Sequence, residues 1–532
     1  RIHCPFSWLL ALLMVAVCAP AAGLRKLEFR TPAFLRGISE TNDKNTPTFA
    51  ELSDLRGRSR MITVVTTACM PWMTGTAVNP LLRAVYLERR KEGHMVSLLV
   101  PWLPIEEQKI IHPWVTFRKP EEQENWVRQW VYKKLGFTTS IRFLWYEGCY
   151  RNDFGSIFPL GDLTESIPHG EGDVIVLEEP EHITWFHTGK PWCEIFNFVV
   201  GVVHTNYWNY ALHDHQVNFL ARAPRAGLLH LGSLWVSRAY CHRIIQLSDA
   251  VLKYPKSITC NIHGVRNNFL DIGTSKIGRS IFGGSKFSKG AYFIGKALWA
   301  KGYRQLLIML KDHYKRTGEN LDIDLFGNGP DLELIQAETK KEKMNWNFLG
   351  PTDHADQKTH DYKVMINPSL SDVVCTTSAE ALAMGKFVVC ADHPSNEFFK
   401  TFRNCFVYSN AKEFSLCLQH AMAADPAPLT DNDRYRLSWE AATERFYDSA
   451  YTGSRKTHQK LPDVLLGRIH GRLAKWEIFS GWLPAPKLGP PKERMEWEFG
   501  RRSNFKGRVL LSSSFLIVAL LSCFDNYSGA GP

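Results

Sequence analysis

The sequence predicts an α/β protein made of two doubly wound domains with parallel sheets, and three observations carry that expectation. Met61–Thr67 (MITVVTT) is a β-branched run followed by a Gly-containing turn, a helical stretch over Ala77–Arg90 and a second buried run at Met95–Val100, which together read as a βαβ unit. Short buried runs recur at Asp173–Leu177 and Val199–Val203, and right-handed crossovers between such strands build a parallel sheet covered on both faces. A second series opens at Tyr292–Ile294 and continues through Leu321–Phe326 and Phe387–Cys390, after a stretch rich in Gly, Ser and Lys.

The chain has 532 residues, room for two paired α/β units and tails. The expected division is a targeting leader over 1–60, a first domain over 61–267, a linker over 268–290, a second domain over 291–450 and a basic, Pro-rich tail over 451–532. In the leader, the apolar run Trp8–Val17 ending in Cys-Ala-Pro-Ala-Ala-Gly reads as a signal-peptide core, and Arg25, Lys26, Arg30 and Arg36 follow as in a transit peptide. A signal plus transit segment would suit a plastid with extra membranes; a lone secretory or membrane anchor is the other reading. The tail closes on an apolar run, Val509–Cys523, shorter than the roughly 20 residues that span a bilayer. A short anchor and an interfacial segment both remain open for it.

A formal charge of +11 favours anionic partners, and a nucleotide diphosphate or an anionic lipid surface fits better than nucleic acid, for which no recognition pattern is present. The 12 cysteines include no C-x-x-C pair, which reads as buried thiols rather than a zinc site or a disulfide framework.

Chemistry concentrates in Asn367–Phe399. A buried run, Val364–Ile366, ends at Asn-Pro-Ser, and Ala379–Met384 is rich in helix formers with Gly385 as its stop, so the loop Ser371–Ser378 joins a strand end to a helix start. Unsatisfied N–H groups at a helix start favour phosphate, while carboxylates at Asp372 and Glu380 suit hydroxyls. A ligand carrying both kinds of group fits there. Lys296 and Lys301 follow another strand, and His204 stands at the end of Val199–Val203, where α/β sheets bind ligands. The turn Pro71–Asn79 lacks G-x-G-x-x-G, which argues against a dinucleotide cofactor. Asp322 and Asp324 form a D-x-D that could hold a metal, but both alternate within a strand, so no metal site is expected; the Gly327-Asn328-Gly329-Pro330 turn after them is assigned to the nucleotide side. Glu178, Glu179 and Glu181 read equally as loop-end acids and as part of an acceptor site. Trp126 and Trp130, at helical spacing with Lys133 and Lys134, read equally as core and as an interfacial helix.

The spacing of Asp372 and Glu380 resembles the acid-x7-acid signature of the large retaining glycosyltransferase family with GT-B architecture, two Rossmann-like domains facing a cleft. The segments VTTACMPWMTGTAVNPLLRA (65–84), LEEPEHITWFHTGKPW (177–192), VVGVVHTNYWNY (199–210), KSITCNIHGV (256–265), FSKGAYFIGKALWAKGY (287–303) and LSWEAATERF (437–446) are similar, in this order, to plant and algal digalactosyldiacylglycerol synthases. Asp372 departs from the wider pattern, in which the first acid is Glu, and reaches one methylene less far.

The resemblance implies transfer of galactose from UDP-galactose to monogalactosyldiacylglycerol with retention, at a plastid envelope membrane and with no tightly bound cofactor. It implies catalytic roles for His204, Lys296, Lys301, Asp372 and Glu380. It further implies donor contacts from Gly75, Thr76, Asn328, Gly329, Val374, Cys375 and Thr376, and acceptor or membrane contacts from Glu181, His182, Trp126 and Trp130. No residue reads as a covalent nucleophile, so the leaving phosphate would deprotonate the acceptor. Another retaining glycolipid glycosyltransferase using UDP-glucose or a modified sugar, and an inactive membrane-associated scaffold, are the rival readings.

Overall fold

In a computed structural model, which describes residues 48–152, 154–168, 170–212, 219–281, 287–453 and 461–475, the chain forms two parallel sheets. The expected leader up to residue 47 and the apolar run 509–523 lie outside the described residues.

The first sheet has eight strands in the order β4-β3-β2-β1-β5-β6-β7-β8. They are β1 Met61–Val65, β2 Met95–Trp102, β3 Arg142–Arg151, β4 Ser156–Pro159, β5 Val174–Glu178, β6 Phe198–Val203, β7 Arg243–Gln246 and β8 Ser257–Thr259. All pairings are parallel except the β3–β4 hairpin. The second sheet runs β11-β10-β9-β12-β13-β14, parallel throughout, from β9 Lys289–Ile294, β10 Ile323–Phe326, β11 Trp346–Gly350, β12 Tyr362–Asn367, β13 Phe387–Ala391 and β14 Cys405–Tyr408. The β-branched runs form the central strands; Val174–Leu177 and Val364–Ile366 are almost fully buried, as a sheet covered on both faces requires. The strand order reverses between β1 and β5 in one sheet and between β9 and β12 in the other, and at such reversals the crossovers diverge and leave a crevice at the strands' carboxyl ends.

Helices α1 (Phe49–Ser53), α2 (Gly75–Glu88), α3 (Ile105–Ile111), α4 (Pro120–Leu135), α5 (Pro180–Thr184) and α6 (Tyr207–Leu212) belong to the first unit. The second unit carries α7 (Asn267–Ile281), α8 (Tyr303–Thr317) and α9 (Thr376–Ala383). Last come α10 (Trp439–Ala450) and α11 (Leu461–Lys475).

Three segments depart from the expected division. Residues 268–290, expected as a linker, carry α7, whose Phe269 and Leu270 are buried against the second sheet's core. Its glycines misled the reading: a Cβ on Gly273 would stand 2.3 Å from the Ala383 carbonyl, so Gly273 is what lets α7 pack on α9. The expected second domain ends early, because α10 returns to the first unit, where Trp439, Ala442, Phe446 and Tyr447 join its core. Part of the expected tail follows it there: in α11, Asp463 pairs with Arg238 at 2.7 Å and Lys256 at 3.0 Å. At the other end, α1 is an ordered part of the same core through Phe49, inside the expected leader.

The helix expected to lie on a membrane, α4, turns its two tryptophans toward the first core, while Tyr132 is exposed. Trp130 is buried in the first core and Trp126 packs against it, while Lys134 pairs with Asp353 of the second unit at 2.8 Å. The interfacial reading of Trp126 and Trp130 is thereby corrected: the i, i+4 spacing that suits an interface suits a core equally, and the neighbouring sheet decides between them.

If α10 belongs to the first unit's core, Trp439→Ala, which removes a fully buried ring stacked on Tyr86 at 5.9 Å, should destabilise by about 3–5 kcal/mol. Urea denaturation checks this, and a loss under about 1 kcal/mol would contradict the packing.

Candidate active site

Between the carboxyl edges of the two sheets lies a cavity of about 370 Å³. Its walls come from the loops after β1, β6, β7 and β8 on one side and after β9 and β12 on the other, so both strand-order reversals feed it.

On the second unit's side, Lys296 and Lys301 both line the cavity. The Lys301 ammonium contacts the Asp372 carboxylate. Burial alone would lower the Lys301 pKa, but Asp372 outweighs it and the group stands above its ordinary value. Lys296 has no such neighbour: burial, and then the charge of Lys301, pull it below the usual lysine range. An anion arriving here would therefore relieve a repulsion between two cations. The loop carrying Asp372 is held by Ser371 Oγ, which donates to the Ala300 carbonyl at 2.7 Å, and by Asn367 Nδ2, which donates to Ser378 Oγ at 3.1 Å. Val374, Cys375 and Thr376 lead from it into α9, whose N-cap, Cys375, makes no side-chain cap bond. The first N–H groups of α9 thus begin at the cavity wall. Burial pushes the Cys375 thiol up to about 11, which disfavours the thiolate.

Glu380 lies in the second turn of α9 and does not line the cavity. Its Oε2 accepts from His354 Nδ1 at 2.8 Å, and His354 Nε2 meets the Tyr292 hydroxyl at 2.7 Å. Burial keeps His354 below the usual histidine range despite Glu380, so a neutral imidazole bridges the two and aims the carboxylate. Asn328, which is exposed, and Gly329 do not line the cavity either. A Cβ on Gly329 would fall 2.4 Å from the Ala297 carbonyl, and Ala297 N donates to Asn328 O at 3.0 Å, so this turn supports the Lys296 loop from below. Asp324, from the D-x-D, accepts from Asn347 Nδ2 at 2.9 Å and from the Tyr362 hydroxyl.

On the first unit's side, Thr74, Gly75 and Thr76 open α2 at the cavity, again without a side-chain cap bond. A Cβ on Gly75 would meet only Asn79 Nδ2, at an ordinary 3.6 Å, so neither backbone nor packing demands glycine there; what its small size leaves open is space on the cavity side. His204 lines the same wall, and its Nε2 is hydrogen-bonded to Glu178, which in turn receives Arg83 Nε. Burial opposes the Glu178 charge, but Arg83 and then His204 outweigh it and hold the carboxyl below its ordinary value. Next to it, Glu179 adopts a left-handed backbone (φ 72°, ψ 65°), a strained conformation for a non-glycine residue, and accepts from Thr67 Oγ1 at 3.0 Å and from Thr205.

Glu181 and His182, expected at the acceptor site, are buried and line no part of the cavity. His182 bridges the Tyr207 hydroxyl (2.9 Å) and the Ile157 carbonyl (3.0 Å). Burial, and then Glu179, push the Glu181 carboxyl well above the usual range, favouring its neutral form. Loop-end position suggested access for these residues, whereas α5 folds them under the sheet edge.

Sequence reasoning missed His263. It lines the cavity, its ring lies 5.1 Å from that of His204, and neither ring nitrogen has a protein partner. Burial, with His204, Arg83 and Arg445 adding to it, drives its pKa well below the histidine range, so it offers one donor and one acceptor at any pH near neutrality. The only hint was its place in the quoted segment KSITCNIHGV.

Residues 288–423 match the family described as Glycosyl transferases group 1. The chain is 48% identical over 421 residues to digalactosyldiacylglycerol synthase 2, chloroplastic, of Arabidopsis thaliana, covering 79% of this chain and 85% of that one. It is 45% identical over 424 residues to digalactosyldiacylglycerol synthase 1, chloroplastic, of Lotus japonicus, covering 80% of this chain and 53% of that one. The chain thus spans about half the length of the synthase 1 relatives and most of the synthase 2 relatives. A sucrose-phosphate synthase from Thermosynechococcus elongatus aligns over 78% of this chain and 100% of its own at 11% identity, with a TM-score of 0.41.

The histidines make a pH prediction. His263 and His354 have folded pKa values below the unfolded value of about 6.5, so below that pH the unfolded chain binds protons that the fold refuses. Stability should hold above about pH 6.5 and fall as the pH drops from there. His263→Phe, which costs no protein hydrogen bond, should make the fall shallower in denaturant titrations while lowering kcat/KM at pH 7.5 by about tenfold or more. An unchanged kcat/KM would remove His263 from the site.

Proposed function

The chain belongs to the digalactosyldiacylglycerol synthase family, and on that premise we propose that it transfers galactose from UDP-galactose to monogalactosyldiacylglycerol with retention, forming digalactosyldiacylglycerol. The observation that carries the reading is the cavity itself: two neighbouring lysines, Lys296 and Lys301, and the uncapped start of α9 face a wall of hydrogen-bonding side chains on the opposite unit.

In this reading the diphosphate lies against Lys296, Lys301 and the N–H groups of Thr376 and Thr377. A helix start contributes about 0.3–2 kcal/mol toward an anion and each charge-assisted hydrogen bond about 1.5–3 kcal/mol, so these groups can carry the leaving-group charge without a resident metal or tightly bound cofactor. Lys301, which pairs with Asp372, exchanges that carboxylate for the diphosphate, and Asp372 turns to the sugar hydroxyls. Glu380, aimed by His354, takes the ribose, which in this reading extends past the cavity lining. His204, its orientation fixed by the Glu178–Arg83 pair, and His263 beside it contact the transferring sugar and the acceptor hydroxyl. With no nucleophile placed, the departing phosphate oxygen accepts the proton of the acceptor hydroxyl as the new bond forms on the same face, and positioning plus fixed charge supply the rate.

The relatives are named chloroplastic, and for this chain a plastid setting at the envelope membrane is proposed. No helix among the described residues is long and apolar enough to cross a membrane.

Lipid analysis after incubation with labelled UDP-galactose and monogalactosyldiacylglycerol tests the reading; labelled digalactosyl lipid is the expected product, and competition with UDP-glucose reports the choice of donor. Lys301→Ala should lower kcat by about 10²–10³-fold, the cost of one lost charge-stabilising donor. Glu380→Gln should instead weaken UDP binding in calorimetry. Full turnover in Lys301→Ala would sink the assignment of the diphosphate site.

A further inference from the structure

We propose that Asn79 and Tyr210, together with His263, form the subsite that receives the acceptor's hexosyl headgroup, and that they select a neutral sugar over a phosphate-bearing headgroup. The proposal rests on the reading above, in which one sugar is moved onto another, and concerns which residues recognise the receiving one.

The cavity is divided by charge. Every lysine and carboxylate that lines it, Lys296, Lys301 and Asp372, stands on the second unit, whereas the first unit's wall offers only hydroxyl, amide, imidazole, backbone and apolar groups. A headgroup carrying phosphate would find no counter-charge on that wall, and burying an unpaired anion costs far more than burying hydroxyls that find partners. Two polar side chains of the wall are free to be those partners. Asn79, in the second turn of α2, is only 7% exposed, lines the cavity, and its amide makes no hydrogen bond among the described residues. His263, also 7% exposed, has both ring nitrogens unpartnered. Its backbone is fixed nonetheless, because its N–H donates to Asn261 Oδ1 at 3.0 Å and its carbonyl accepts from Arg445 at 3.1 Å. Neighbouring polar groups are already engaged: Thr205 donates to Glu179, while the Asn206 amide donates to the Ala250 carbonyl at 2.7 Å and accepts from Asn209 N at 3.1 Å. An amide and a neutral imidazole each offer a donor and an acceptor, as the adjacent hydroxyls of a sugar require.

Tyr210 supplies the apolar complement. It lines the cavity with 43% of its surface exposed, and it sits on α6, where its own N–H donates to the Asn206 carbonyl at 3.1 Å and the Asn206 side chain holds the first turn. Burial alone would strip Lys301 of its proton; Asp372 opposes this most strongly and the Tyr210 phenol adds to it, so a ring of the first unit reaches the lysine assigned to the diphosphate on the second. A hexose presents several C–H bonds on one face and hydroxyls around its rim, and an aromatic ring with a polar tip matches both. Laid on Tyr210, such a ring stands next to the sugar being transferred, and its hydroxyls find Asn79 and His263. The second unit's wall, with its lysines and helix start, is left to the donor. Leaving the buried amide and imidazole unpaired penalises any headgroup that lacks hydroxyls at these points, so the same groups that bind also discriminate.

The test uses the full chain, detergent-dispersed monogalactosyldiacylglycerol and, as a headgroup probe, methyl galactoside. In steady-state kinetics Asn79→Ala and Tyr210→Ala should each raise the acceptor KM about tenfold or more, while UDP affinity in calorimetry stays within about twofold. Tyr210→Phe, which keeps the ring, should hold the acceptor KM within about threefold, whereas Tyr210→Leu, apolar but not aromatic, should behave as Tyr210→Ala does. Methyl galactoside should inhibit competitively against the lipid acceptor, and galactose 6-phosphate should not. As a readout that needs no turnover, saturation-transfer NMR with UDP present should show methyl galactoside bound to the unaltered chain and its signal lost in Tyr210→Ala. An unchanged acceptor KM in both alanine variants, a tenfold loss of UDP affinity in Tyr210→Ala with the acceptor KM unchanged, or competition of methyl galactoside with UDP-galactose instead of the lipid would each overturn the proposal. Galactoside binding that depends on Tyr210, without galactosyl transfer to the lipid, would count against the functional reading and leave the subsite standing.

Discussion

Parallel pairing is the constraint on which the rest of the structure depends. In a parallel sheet every strand ends on the same edge, and each crossover helix begins there, so carboxyl ends of strands and amino ends of helices collect along one side. Here two such edges face each other, and the order reversals at β1/β5 and β9/β12 fall opposite one another across the cavity. Thr74, at the start of α2, and Cys375, at the start of α9, both leave their helices without a side-chain cap. Capping such positions ordinarily adds about 1 kcal/mol, so an uncapped start at a cavity trades stability for donors that a ligand can use.

The same logic explains the buried charges of the first unit. Arg83 and Glu178 are almost fully enclosed, an arrangement that water-to-protein transfer disfavours unless geometry and hydrogen bonds are complete. The pair orients His204 at the cavity wall, and the neighbouring Glu179 holds a left-handed backbone that costs on the order of 1–3 kcal/mol. On the opposite wall Tyr292 and His354 do the equivalent for Glu380. Each putting-in-place is a short chain of hydrogen bonds running from the core to a group near the ligand space, and each is assembled from residues far apart in sequence.

Legibility in the sequence followed how local each signal is. Strand runs such as Met61–Val65 and Val364–Ile366 were visible because burial on both faces forces near-continuous apolar sequence, and the Asp372 loop was visible because a strand end, a loop and a helix start occur in consecutive residues. The stretch 268–290 was misread because Gly, Ser and Lys have the same composition in a linker and in a tightly packed helix; only the approach of the Ala383 carbonyl to Gly273 distinguishes them. Trp126 and Trp130 were ambiguous for a related reason, since an amphipathic stripe does not say what covers it.

By itself, then, the sequence determined the alternation of strands and helices, and hence parallel sheets with ligand-binding edges, along with the residues Lys296, Lys301, Asp372 and His204 that stand there. The strand, helix and Asp372 loop signals depend on side-chain type and short spacing, which the chain carries locally, while Lys296, Lys301 and His204 stood out through the family resemblance of their segments. Only the tertiary structure decided that Glu380, Asn328 and Gly329 do not line the cavity, that Glu181 and His182 are interior, that His263 joins the site, and that α10 and α11 cross back to complete the first core. Those outcomes depend on which distant elements come to lie against each other, and burial, partner and charge state at a given residue are properties of that neighbourhood rather than of the residue.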